Sequence, residues 1–147
     1  MNKGKKSMNI KDFAEVELKI PMIPDMELAA TKTAEAMGEY LSFDQDKIDE
    51  VKLAIIEATI NAFEHSNSDD KKVEINFIAD KNVLTIKIHD KGIGYDESKV
   101  KEPKIKEKIK SDYKRGWGLS LMKELMDSVE IVKDETGCTV IMTKRRK

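Results

Sequence analysis

Cysteine occurs once in the chain, at Cys138, so no intramolecular disulfide is possible, which fits a reducing cytoplasm. A surplus of positive charge is missing too. The formal net charge is −1, which removes the usual electrostatic ground for binding nucleic acid. No run approaches the roughly 20 consecutive apolar residues of a membrane-spanning helix, and the basic N-terminus is not followed by the apolar core of a secretory signal. Neither membrane insertion nor export is expected. Two nucleotide-binding signatures are absent as well. There is no Gly-x-x-x-x-Gly-Lys-Ser/Thr loop, and Gly92 and Gly94 are not followed by a third glycine opening a helix. No internal repeat or linker divides the chain.

What remains is a soluble, highly charged chain of 147 residues, 39% hydrophobic and 37% charged, a size that suits one domain with a substantial core. Residues 1–12 read as a flexible N-terminus. The basic clusters at both ends, Lys3, Lys5 and Lys6 and then Lys144 to Lys147, read as solvated tails. Phe13 to Ile20 alternates apolar and charged residues, as a half-buried strand does, and Pro21 stops it. Pro24 and Asp25 open a helix to about Leu41, with Met26, Ala29, Ala30, Thr33, Met37 and Tyr40 along one side. Asp44 is placed to cap a second helix over about 46–66, whose inner stripe is Ile48, Val51, Ile55, Ala58, Ala62 and His65. Val73 to Ala79 and Val83 to His89 read as a hairpin around Asp80-Lys81-Asn82. Residues 95–114 are lysine-rich and poor in apolar side chains, the composition of a loop that cannot order itself by burial. Gly116 to Met126 reads as a third helix with Leu119, Met122, Leu125 and Met126 inward. Val129 to Val132 and Cys138 to Thr143 close the chain as a second hairpin. The element order predicts an α+β sandwich, three helices against one face of a mixed sheet.

Three stretches carry chemistry. Glu57 and Asn61 lie one helical turn apart on the edge of the second helix. An asparagine carbonyl there can ligate Mg²⁺, which takes few protein ligands, and a carboxylate beside it can accept the proton of an attacking hydroxyl. Asp90, at the end of a strand beside a glycine turn, can accept a hydrogen bond from the exocyclic amino group of adenine. Guanine presents a carbonyl at that position. Gly116 and Gly118, at the start of an apolar helix, let phosphate oxygens reach free backbone amides, with Arg115 beside them. Each stretch by itself is also ordinary chemistry: an Asx turn at Asp90, a loop-to-helix transition at Arg115, a solvated helix edge at Glu57. Cys138 reads as a buried small residue and His65 as a structural hydrogen-bonding residue.

Taken in order, the three stretches resemble the GHKL ATPase superfamily, and within it the small bacterial anti-sigma-factor serine kinases. Glu57-Ala-Thr-Ile-Asn61-Ala-Phe-Glu-His65 is similar to the family's N box, Asp90-Lys-Gly92-Ile-Gly94 to its G1 box, and Arg115-Gly116-Trp-Gly118-Leu119 with Leu125-Met126-Asp127 to its G2 region. The likeness covers roughly residues 13–143. It implies a Bergerat fold, ATP with Mg²⁺, a homodimer, and residues 95–114 as the ATP lid. It further implies a cytoplasmic protein serine/threonine kinase that binds a sigma factor and phosphorylates a STAS-type anti-sigma antagonist. By motif position Glu57 is the catalytic base, Asn61 the magnesium ligand and Asp90 the adenine reader. Gly92 and Gly94 shape the base pocket, and Arg115, Gly116 and Gly118 serve the phosphates. Two positions depart from the family pattern: Ser66 stands where glycine is usual, and Cys138 where a threonine is usual.

Two further readings share these residues. One is an ATP-gated binding module that captures a partner without phosphorylating it. The other, the catalytic domain of a two-component histidine kinase, needs a separate helical segment for the acceptor histidine, and the stretch before Phe13 is too short to supply one.

Overall fold

In a computed structural model, residues 13–66, 71–91 and 113–147 are described, apart from the side chains of residue 65 and residues 113–118. Strand β1 (Phe13–Pro21) turns Ala14, Val16, Leu18 and Ile20 inward and leaves Glu15, Glu17 and Lys19 exposed, as its alternation requires. Helix α1 (Glu27–Tyr40) and helix α2 (Gln45–His65) follow. Asp44 caps α2 as expected, its Oδ1 accepting from the Lys47 amide at 2.9 Å. Strands β2 (Lys72–Asp80) and β3 (Val83–Asp90) form a hairpin, Lys81 adopting the left-handed backbone the tight turn needs (φ 59°). Helix α3 (Tyr113–Leu125) leads to the hairpin β4 (Ser128–Asp134) and β5 (Gly137–Arg145).

The five strands lie in the order β1-β2-β3-β5-β4. The α+β sandwich is therefore as expected, but the sheet is antiparallel in every pairing, not mixed. The helical connection from β3 does return β4 parallel to β3, as such crossovers do. The hairpin partner β5 then occupies the position between them, so the parallel strands never become neighbours.

The core joins the stripe of α2 (Ile48, Val51, Ala54, Ile55, Ala58) to the inner rows Val73, Ile75, Phe77 of β2 and Leu84, Ile86, Ile88 of β3. Leu119, Met122 and Met126 of the third helix complete it, with Leu125 half-buried. The expected stripe of α1 needs correction. Its buried arc is Ala30, Thr31, Ala34, Met37 and Gly38, while Met26 and Tyr40 stay exposed. The reason is close helix approach: a β-carbon on Gly38 would stand 2.8 Å from Ile48 Cγ1, so small residues, not the bulkiest, face α2. A second correction concerns the C-terminal basic run. Lys144 is buried, with only 6% of its surface exposed, on the inner face of β5.

Candidate functional site

Asn61 and Asp90 reach the same place from different elements. Asn61 sits on the inner edge of α2, one turn beyond Glu57, and Asp90 is the last residue of β3, facing the helices because it continues the row Leu84, Ile86, Ile88. Both are more than nine-tenths buried. Together they line a narrow cavity walled by Ala58 and Ala62 of α2, Met122 of α3, Ile88, and the row Cys138 and Val140 of β5, with Ile131 of β4. Its lining is apolar except for a carboxamide and a carboxylate, and it encloses only about 10 Å³, the space of one water, so a flat ring enters it only if the walls part.

The Asn61 carboxamide has unspent hydrogen-bonding capacity, since its buried Nδ2 finds no partner among the described residues. A half-turn of the group exchanges nitrogen for oxygen at nearly constant shape, so the same position can present a hard oxygen donor. That donor type suits Mg²⁺, which accepts one or two protein oxygens and fills its octahedron with phosphate oxygens and water. Among the described residues no three His, Cys, Asp or Glu side chains converge.

Glu57 is half-buried and does not line the Asn61–Asp90 cavity; it engages other groups. Gly92, Gly94 and most of the expected lid, residues 95–112, lie outside the described residues. Arg115, Gly116 and Gly118 fall inside α3, which begins at Tyr113, three residues earlier than expected. Gly116 therefore ends the first turn of the helix, and Gly118, its sixth residue, lies past the four amides that a helix start leaves free.

Both departures from the family pattern have a structural reading. Ser66 closes α2 with φ −78° and ψ 136°, extended backbone open to any residue, so glycine is not needed there. Cys138 pairs in register with Asp90 and is buried at the cavity wall, as expected of a small apolar residue. Sequence reading missed the walls Ile88 and Val140. Their signal was the period of two, since each stands two residues from a motif position on its strand.

A family model described as the histidine kinase-like ATPase domain matches residues 24–144. The chain is 33% identical over 137 residues to serine-protein kinase RsbW of Bacillus cereus (strain AH820), covering 90% of this chain and 85% of that protein. It is 31% identical, with the same coverage, to the serine-protein kinase RsbW of Bacillus thuringiensis (strain Al Hakam). A solved structure of the RsbU and RsbW domains of a Mycobacterium tuberculosis protein is similar in fold, with a TM-score of 0.66 at 16% identity. That match covers 90% of this chain, which spans about a third of the larger one (32%).

Proposed function

The chain belongs to the histidine kinase-like ATPase domain family, on its branch of RsbW serine-protein kinases, and from that premise we propose an ATP-dependent serine kinase that acts as an anti-sigma factor. It phosphorylates a STAS-type anti-sigma antagonist and sequesters a sigma factor, working as a cytoplasmic homodimer. The observation that carries the nucleotide half of this reading is the convergence of buried Asn61 and Asp90 on one apolar cavity.

In this reading Asp90 accepts from the 6-amino group of adenine, and the wall of Ile88, Val140 and Met122 sandwiches the ring. Asn61 holds Mg²⁺ through its carbonyl oxygen. The cation, when bound, neutralises charge on the phosphate oxygens. Gly92 and Gly94 shape the base pocket, while Arg115 and the free amides of the first turn of α3, up to Gly116, hold the phosphates where the helix dipole favours negative charge, and Gly118 keeps the next turn free of side-chain bulk. Glu57 takes the proton of the substrate serine hydroxyl. The serine oxygen then bonds to the γ-phosphorus as the bond from that phosphorus to the bridging oxygen breaks, and ADP departs. General-base assistance of this kind contributes about 10²–10⁴ in rate, with positioning and electrostatics supplying the rest.

A second reading, an ATP-gated binding module, uses the same Asn61–Asp90 cavity and does without Glu57 as a base. Phosphotransfer from radiolabelled ATP to a STAS-domain protein separates the two. The kinase reading expects transfer by the wild type and a loss of at least about 10²-fold in Glu57→Gln. Capture of the partner with no phosphoprotein, or equal transfer by the variant, rejects Glu57 as the base.

A further inference from the structure

Lys144 continues the basic run at the end of the sequence, yet its side chain turns into the molecule. Its Nζ donates to Glu50 Oε1 at 2.7 Å and to the backbone carbonyl of Leu125. Glu50 belongs to the early turns of α2, and Leu125 is the last residue of α3. One ammonium on β5 therefore joins the two helices that carry opposite sides of the nucleotide cleft. Net stability is a poor account of this arrangement. Lys144 gives up its hydration for a carboxylate that stays 45% exposed, so desolvation offsets much of the attraction. What an ion pair with a helix-end carbonyl adds is direction, which the apolar contacts of Leu119, Met122 and Met126 do not provide.

The two helices run in opposite senses. The clasp joins the start of α2 to the end of α3, whereas the cavity brings Asn61, further along α2, to Met122, earlier in α3. From Glu50 to Asn61 is about 16 Å along α2, and from Leu125 back to Gly116 about 14 Å along α3. A rigid helix pinned at its C-terminal end, with Met122 held against the Asn61 cavity, has the direction of its glycine-bearing end fixed as well.

We infer that Lys144 is a positioning residue for the nucleotide: by clasping Glu50 and the Leu125 carbonyl it fixes where the start of α3 meets the phosphates. This rests on the ATP-binding reading above. The clasp acts on the phosphate end and leaves the Asp90 end alone, so it governs ATP and not adenosine.

Calorimetry with ATP·Mg²⁺ and with adenosine tests it. Lys144→Met should bind ATP about tenfold more weakly while binding adenosine as the wild type does. Lys144→Arg, whose fork reaches two acceptors, should stay within about twofold of wild type for ATP. A general loosening of the fold would weaken both ligands together, and that result overturns the inference, as does unchanged ATP affinity in folded Lys144→Met. Should Lys144→Met not fold, Glu50→Gln decides. Its side chain is 45% exposed, so the variant keeps its fold, and a selective loss of ATP affinity supports the clasp while unchanged affinity rejects it. A wild type that binds no ATP rejects the functional reading itself; a wild type that binds ATP with variants that bind equally rejects only the clasp.

Discussion

The carbonyl oxygen of Asp90 lies 2.0 Å from the point where a β-carbon on Gly137 would stand. Gly137 also holds φ at +134°, on the side of backbone space that side chains rarely enter. Strand β5 thus begins with bare backbone so that it can close against the end of β3, where the candidate base reader sits. Gly137→Ala should cost about 2–4 kcal/mol and displace Asp90, lowering ATP affinity in the folded fraction. Urea melts followed by calorimetry would check both parts, and a wild-type midpoint would show that the close approach is not required.

Stability of the site-bearing helix should depend on its cap. Asp44 accepts from the Lys47 amide at 2.9 Å with extended backbone (ψ 168°), the geometry of a helix start. Asp44→Ala should lower the unfolding free energy by about 1 kcal/mol, and Asp44→Ser should restore most of it. Equal stability of all three proteins in denaturant would mean the amide finds water as good a partner.

The hairpin joining β4 and β5 carries a pH signature. Asp134 Oδ1 accepts from the Thr136 hydroxyl at 2.6 Å and its amide at 2.8 Å, bonds that hold the Asp134 carboxyl below the usual 3.8. A lowered folded-state value means that the contribution of this turn is present above the unfolded value and disappears as pH falls through the folded one. Carboxyl titration by NMR should show Thr136→Ala moving Asp134 back toward 3.8. An unmoved titration would assign the shift to other groups.

Much of this architecture was legible because the determining signal is periodic. In α2 the three-and-four spacing from Ile48 to Ala62 marked the buried face, and in β3 the period of two carried the inner row through to Asp90. The signal failed where size replaced hydrophobicity. On α1 the buried arc is built of Ala30, Ala34 and Gly38 because α2 comes too close for larger groups, so the bulky Met26 and Tyr40 misled. Lys144 failed differently. The period of two continues the inward row of Met142 to Lys144, but its charge read as a solvated tail, and its burial became plain only with β5 lying between β3 and β4. Within the candidate site, Asn61 and Asp90 stood out through the resemblance of their motifs to a known family, since each alone reads as ordinary chemistry. Their convergence did not, since it depends on how the second helix crosses the sheet.

Magnesium dependence should trace to Asn61. Its carboxamide is buried, with a nitrogen that finds no partner among the described residues, so truncation removes a donor that they leave unsatisfied. Asn61→Ala should therefore keep wild-type stability within about 1 kcal/mol, yet lose the difference between ATP affinity in Mg²⁺ and in EDTA. A variant whose affinity still responds to Mg²⁺ as the wild type does would place the cation elsewhere.

Base selection offers the sharpest check on the cavity. Asp90 is 4% exposed, at the end of a strand whose neighbours Ile88 and Val140 supply an apolar wall. A carboxylate there accepts from the amino group of adenine and repels the carbonyl of guanine, so ATP should be strongly preferred to GTP. Asn in its place keeps an acceptor but loses the charge, and it gains a donor that guanine can use. Asp90→Asn should therefore weaken ATP by roughly tenfold, the scale of one charge-assisted hydrogen bond, while GTP affinity holds or rises. The two changes have opposite signs, and this separates base reading from damage to the fold, which lowers both. Calorimetry with each nucleotide measures the ratio directly. An ATP-to-GTP ratio equal to that of the wild type would move the adenine away from Asp90 and leave the cavity without its assigned ligand.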